Sequence, residues 1–293
     1  MVRFRSLLIL FVLVLLALLP PVSQGRAAVV TDIVNNLALD AVPLDVAVPA
    51  GGRNIFVLVE GGRVLIYGLD GQLQDTVTVA ASVEGIEAAP NGDALFLRDR
   101  QRKSVQIVTL DYIVKINTAN SPIKGKPEAP VTIAVFDDFE CPYCAQLVPV
   151  LNEVVAKYAG KVKLAFKNHP LPNHKSAMSA AMAALAAKEQ GKFWEFHDAL
   201  YANYNKLNAE KIQEIGQQVG LDLEKFSRDR KSEKIQQLIE QDLQEAKEIG
   251  VRGTPSVFVN GRQLKDRSVE GFSAMIDKAL AETGPQKTGG KGR

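Results

Sequence analysis

The spacing of apolar residues changes once along the chain, and this change limits the possible folds more than any other feature. From Val29 to about Asn117, apolar residues alternate with a period of two and are interrupted by turn sequences such as Gly61-Gly62 and Asn91-Gly92. From about Ser121, buried-strand sequences alternate with stretches in which apolar residues recur at helical spacing. The pattern predicts a small all-β domain followed by an α/β domain.

The β-rich segment contains two similar units. The stretch from Val46 to Val59 aligns with that from Ile86 to Asp99, at an offset of 40 residues. A period of about 40 residues made of short strands is typical of β-propeller blades, but a propeller closes only from roughly four blades upward. Two interpretations stay open: a small independent sheet or sandwich, and two unclosed blades that pair with a second copy or another partner.

The second segment follows the order strand, helix, strand, several helices, two strands, helix. A helical insertion of about residues 175–250 interrupts the expected sheet. The other expected elements are strands at Pro130–Phe136, Lys161–Phe166 and Ser256–Val259, and helices at about Ala145–Tyr158 and Val269–Ala281.

The first 27 residues have the order of a secretory signal peptide. Arg3 and Arg5 precede an apolar run from Leu7 to Leu19, and small residues lead to a cleavage site after Ala27. A membrane span needs about 20 apolar residues, so an uncleaved anchor is the weaker alternative. We therefore expect an exported, periplasmic protein. The expected domains are a signal peptide (1–27), a β-rich domain (28–116), an α/β domain (117–283) and a disordered basic tail (284–293).

The overall charge excludes one class of partner. The formal net charge is only +2, and no basic stripe is interleaved with aromatic residues. Proteins that bind nucleic acids usually carry such a basic surface, so no nucleic-acid partner is expected.

Both cysteines of the chain, Cys141 and Cys144, lie in the sequence Cys-Pro-Tyr-Cys. A disulfide that closes so short a loop stabilises a fold by only about 2 kcal/mol. A zinc site needs four ligands, and His169 and His174 are separated by prolines. Neither a metal nor a cofactor is therefore expected. A redox pair fits better, because Pro142 suits the first position of a helix and a helix N-terminus stabilises a thiolate at Cys141.

The Cys-Pro-Tyr-Cys motif after a strand, together with the sequence Val251–Gly261, resembles the DsbA-like branch of the thioredoxin superfamily. The resemblance covers about residues 117–283 and implies a thioredoxin-like fold with a helical insertion. It implies that Cys141 and Cys144 are the catalytic residues. It also implies that Pro255 follows a cis peptide bond and that the backbone of Thr254 pairs with a substrate strand.

The family implies thiol–disulfide exchange with cysteine-containing client proteins and a membrane-bound or soluble redox recycling partner. Tyrosine in the motif, where the oxidase of the family has histidine, predicts a weaker oxidant. Two alternatives stay open: a disulfide isomerase or reductase that forms a homodimer through residues 28–116, and a non-catalytic protein-binding module.

Three acidic residues flank the motif: Asp137, Asp138 and Glu140. They could transfer protons to and from Cys144. The simpler interpretation, and the expectation adopted, is a strand end that is exposed to water.

Overall fold

The computed structural model describes residues 32–33, 36–52 and 54–283. The predicted signal peptide and basic tail lie outside these residues. The chain divides into two compact units between Val108 and Thr109, eight residues before the domain boundary expected from the sequence.

The first unit consists of two β-sheets, as the alternating pattern predicted. Its antiparallel four-stranded sheet has the order β1-β2-β3-β4, and its three-stranded sheet has the order β5-β6-β7. The seven strands are β1 (Pro43–Ala47), β2 (Asn54–Val59), β3 (Arg63–Gly68), β4 (Leu73–Thr78), β5 (Val83–Ala88), β6 (Ala94–Asp99) and β7 (Ser104–Thr109). Asp45 links the two sheets, because its Oδ2 accepts a hydrogen bond of 2.9 Å from the backbone N–H of Ile86.

Each sheet buries its central strands. Phe56 and Leu58 of β2 and Leu95 and Leu97 of β6 are buried. The turn between β2 and β3 needs glycine at Gly62, where φ is +76° and a Cβ atom would lie 2.5 Å from the carbonyl oxygen of Val79. Alternating burial and tight turns therefore explain why this segment forms antiparallel sheets.

The second unit is an α/β structure around a mixed five-stranded sheet with the order β12-β11-β9-β10-β8. The central strands β9 and β10 are parallel, and β11 is antiparallel to β9. The strands are β8 (Ile123–Gly125), β9 (Val131–Asp137), β10 (Val162–Asn168), β11 (Ser256–Val259) and β12 (Arg262–Gln263).

Seven α-helices surround this sheet within the part of the chain that the structure describes. They are α1 (Pro142–Lys157), α2 (Ala177–Lys188), α3 (Phe193–Tyr201), α4 (Ala209–Gln218), α5 (Leu223–Asp229), α6 (Glu233–Ile249) and α7 (Val269–Thr283). Helices α2 to α6, with a short 3₁₀ helix at Tyr204–Lys206, form the predicted insertion. In residues 32–33, 36–52 and 54–283, none of the helices has both the length and the apolar character required for a membrane span.

The core of the second unit follows the alternation of side chains along β9. Ile133 and Val135 pack in one buried cluster with Leu147 of α1 and Phe272 of α7. Phe136 belongs to a different cluster, with Ala246 of α6. Successive residues of a strand point to opposite faces of the sheet, so β9 is covered on both sides and its C-terminal end is held firmly.

A buried ion-pair network fixes the last helix of the insertion to the sheet. Lys167 of β10 pairs with Asp242 and Glu245 of α6, and its Nζ also donates a hydrogen bond of 2.8 Å to the carbonyl oxygen of Asn117. Removal of one partner from a buried network leaves the other charges uncompensated.

We predict that Lys167→Met lowers the free energy of unfolding by about 3 kcal/mol, because it leaves Asp242 and Glu245 without a cation. Denaturant unfolding measures this change. The matched control is Lys211→Met, which removes a more exposed ion pair with Glu214 and should cost less than about 0.5 kcal/mol. Equal effects of the two substitutions would contradict the structural role of the network.

Candidate active site

Cys141 lies where β9 gives way to α1. It is the N-cap residue of α1, with an extended backbone at φ −76° and ψ 121°, and Pro142 occupies the first turn. The N–H of Cys141 donates to the carbonyl oxygen of Asp138 at 3.1 Å, and its carbonyl oxygen accepts from Ala145 N–H at 3.1 Å. The thiol is thereby held at a helix N-terminus, where unpaired N–H groups favour an anion.

The loop before β11 approaches the same thiol. The Thr254–Pro255 peptide bond is cis, as the resemblance implied. The Sγ of Cys141 lies 3.5 Å from the carbonyl oxygen of Thr254. The structure therefore brings Cys141, Cys144 and Thr254–Pro255 together at one place.

The surroundings of Cys141 strongly favour its thiolate. Its pKa falls to about 5, chiefly because the Cys144 thiol donates a hydrogen bond to its sulfur. The pKa of Cys141 is lowered further by Thr254 and by the backbone N–H groups of Tyr143 and Cys144, whereas burial of the thiol raises it. At neutral pH, Cys141 is consequently almost entirely ionised.

Cys144 has the opposite character. Its side chain is fully buried, and burial raises its pKa far above the ordinary value for a thiol. The neighbouring Cys141 and the negative charge of Asp137 raise it further. The two sulfur atoms are free thiols in this structure, and they form an unequal pair with one nucleophile and one protonated donor.

The expectation that the acidic residues lie at a water-exposed strand end is wrong for Asp137 and Asp138. Their relative exposures are only 2% and 1%. Asp138 is used structurally, since its carboxylate accepts hydrogen bonds from the backbone N–H groups of Glu140 and Leu171 and bonds to the His174 ring. The Glu140 carboxylate accepts from Ser176 N–H, so this residue also serves to hold a loop.

Asp137 is the acidic residue that interacts with Cys144. Burial raises the pKa of Asp137 to about 7, while the hydrogen bond with the Cys144 thiol opposes this rise. A carboxyl group with a pKa near neutrality can both accept and return a proton.

Tyr201 of α3 also interacts with Asp137, and sequence reasoning did not identify it. Its only signal in the sequence was its position at the end of the aromatic-rich stretch Phe193–Tyr201. In the described residues, no group of three or more His, Cys, Asp and Glu side chains is arranged to hold a metal ion.

The model of the family described as Thioredoxin matches residues 117–278. The chain belongs to this family. The chain is similar to a thioredoxin-like oxidoreductase from Silicibacter pomeroyi DSS-3, with a TM-score of 0.52 and 32% identity over 56% of this chain and 94% of that protein. BdbD from Bacillus subtilis gives a TM-score of 0.51 at 21% identity, over 58% of this chain and 98% of that one, and shows the shared fold. The resemblance inferred from the motifs and the expected thioredoxin-like fold are thus confirmed.

Curated relatives of the chain include much longer proteins. The Na(+)/H(+) antiporter NhaA 3 of Salinispora tropica is 35% identical over 184 residues, which are 62% of this chain but only 28% of the antiporter. Since the match covers little more than a quarter of that protein, it gives no basis for transport by this chain.

The unequal thiols give a direct test of the site. We predict that Cys144→Ala raises the pKa of Cys141 by about one to two units, because the main hydrogen-bond donor to the thiolate is lost. A titration of the ultraviolet absorbance of the thiolate measures this change. Cys144→Ser is the matched control, because its hydroxyl can still donate, and it should fall between the wild type and the alanine variant. An unchanged midpoint in Cys144→Ala would show that Cys144 does not stabilise the thiolate.

Proposed function

We propose that the protein is an exported thiol–disulfide oxidoreductase that exchanges disulfides with client proteins through Cys141 and Cys144. The observation that carries this proposal is the pairing of a low-pKa thiol, Cys141, with the buried, protonated thiol of Cys144. Thiolates are the reactive species in disulfide exchange. The fold and the oxidoreductase neighbour from Silicibacter pomeroyi support the same assignment.

Oxidation of a client begins with the Cys141–Cys144 disulfide. A client thiolate attacks the Cys141 sulfur, the bond between the cysteines breaks, and Cys144 leaves with the electron pair. Asp137 interacts with Cys144 and has a pKa of about 7, so it can supply the proton that Cys144 takes up. A second client thiolate then attacks the client sulfur of the mixed disulfide, which releases Cys141 as a stable thiolate and leaves the client oxidised.

Client binding is proposed to use the backbone beside the cis proline. The carbonyl oxygen of Thr254 already lies 3.5 Å from the Cys141 sulfur. An extended client segment that pairs with Thr254 by β-addition would place its own cysteine next to that sulfur. The side chain of Tyr143 is exposed and offers an apolar contact for the client.

The balance between oxidation and reduction depends on how well the reduced protein is stabilised. A Cys141 pKa of about 5 lies between the values of about 3.5 for DsbA and about 7 for thioredoxin. A less stable thiolate makes a weaker oxidant. This supports the expectation of an oxidant weaker than DsbA. We propose in addition that a membrane-bound or soluble redox partner recycles the cysteine pair.

Export is proposed from the N-terminal sequence. Its basic residues, apolar run and small residues before position 28 have the order that directs secretion. The periplasm is a compartment in which thiols and disulfides are exchanged, and this agrees with a redox role for the cysteine pair.

We predict that the reduction potential of the Cys141–Cys144 pair is more negative than the value of about −120 mV for DsbA. Equilibration with glutathione buffers, followed by quantification of the free thiols, measures this potential. In parallel, Cys144→Ser should accumulate mixed disulfides between Cys141 and client proteins, because no Cys144 thiol is present to attack the Cys141 sulfur and release the client. Cys141→Ser is the matched control and should trap none. A potential as high as that of DsbA would contradict the prediction of a weaker oxidant. Equal trapping by both variants would contradict the assignment of Cys141 as the nucleophile.

A dimeric isomerase or reductase is the second candidate, and one observation favours it. Val46 of β1 and Val105 and Ile107 of β7 are apolar yet 54%, 64% and 66% exposed. Strands with exposed apolar residues often pair with another chain, and an isomerase of this kind would form a homodimer through residues 28–116. Sedimentation of the mature protein tests the second candidate, since a monomer would count against the hypothesis of a dimeric isomerase or reductase.

A further inference from the structure

Two buried polar atoms beside the cysteine pair have no hydrogen-bond partner. They are the Oδ1 atom of Asp137 and the hydroxyl oxygen of Tyr201. Asp137 ends β9, whereas Tyr201 is the last residue of α3 in the helical insertion. Buried polar groups without partners are costly and rare in folded proteins, so a pair of them next to a reactive site calls for a functional explanation.

The Tyr201 side chain is held firmly in this position. Its ring lies 5.0 Å from the ring of Phe139, between centroids, and 4.8 Å from the ring of His197. The hydroxyl lies close to the Asp137 carboxyl without a hydrogen bond between them, and each group shifts the pKa of the other. Tyr201 therefore places a hydroxyl that is free to donate beside the same carboxyl group that interacts with the Cys144 thiol.

We propose that Tyr201 is a positioning residue that keeps Asp137 in its carboxylate form, so that Asp137 can accept the proton of Cys144 when Cys144 attacks a mixed disulfide. This inference rests on the proposed function and adds the helical insertion to its chemistry. Tyr201 acts through Asp137 and does not touch the substrate.

The charges around Asp137 explain why such a donor is needed. The negative charges of Cys141 and Asp138 raise the pKa of Asp137 in addition to burial, and only the Cys144 thiol and Tyr201 are found to lower it. On the other side of Tyr201, His197 bonds through Nδ1 to Asp198 at 2.7 Å. Since Asp137 loses one of two groups that favour its charge, the pKa of Asp137 rises when the Tyr201 hydroxyl is removed.

The test of this proposal follows two phases of the reaction between the reduced protein and an aromatic disulfide, which releases a coloured thiolate in each phase. In the first phase, the Cys141 thiolate attacks one sulfur of the reagent, releases one aromatic thiolate and forms a mixed disulfide. In the second phase, Cys144 gives its proton to Asp137 and attacks the Cys141 sulfur. The Cys141–reagent bond then breaks, the second aromatic thiolate leaves with the electron pair, and the Cys141–Cys144 disulfide forms.

The expected result for Tyr201→Phe is a shift of the second phase towards higher pH. The rate of the second phase rises with pH as Asp137 ionises, and we expect the midpoint of this rise to move up by about one pH unit in Tyr201→Phe. The second phase would then be about tenfold slower at a pH below both midpoints and unchanged above them. The first phase, which reports on Cys141, should keep its midpoint. Tyr201→Phe keeps the ring and its contacts with Phe139 and His197, so the fold stays intact.

Two controls separate this role from a general effect on packing. Tyr158→Phe removes the hydroxyl that bonds to Asp277 at 3.0 Å, in the same unit, and should leave both phases unchanged. In an Asp137→Asn background, Tyr201→Phe should have no further effect on the pH profile.

Each remaining outcome overturns a defined part of the account. A second phase with the wild-type midpoint in Tyr201→Phe overturns the role of Tyr201 alone, as does an equal shift in Tyr158→Phe or a persisting shift in the Asp137→Asn background. A wild-type protein without a first phase overturns the proposed function together with the inference.

Discussion

The hydrogen bond from the Cys144 thiol to the Cys141 sulfur is the interaction on which the chemistry of this protein depends. It is the largest influence that lowers the pKa of Cys141, and it exists only because burial keeps Cys144 protonated. Each cysteine thus affects the protonation state of the other. The rest of the second unit serves to hold this arrangement: β9 ends beside it, α1 begins within it, and the loop with the cis proline faces it.

The buried cysteine needs a way to lose and regain its proton, because no thiol with so high a pKa can attack a disulfide at neutral pH. Asp137 fits this requirement because burial has brought its pKa close to 7. Burial therefore has two consequences in one place. It keeps Cys144 in its donating form, and it converts a neighbouring carboxylate into a group that can exchange protons.

The sequence was sufficient for the parts of the structure that local rules control. Residue spacing predicted β9, α1 and β11 closely, and the start of α1 follows from Pro142, whose missing N–H costs nothing there. The burial of Asp137 and Asp138 was not predicted, because it depends on what packs over the end of β9. Tyr201 interacts with Asp137, and the Leu171–His174 loop bonds to Asp138. Both lie in other parts of the chain, and no local sequence pattern predicts these interactions.

The central claim is that two cysteines in one motif differ sharply in reactivity. Alkylation of the reduced, folded protein across a range of pH, with mass spectrometry to locate the modified residue, tests it most directly. We predict that Cys141 is modified with a midpoint at about pH 5, while Cys144 stays unmodified until the protein unfolds. Equal modification of both residues, with a midpoint near the ordinary pKa of about 8.5 for a thiol, would contradict it.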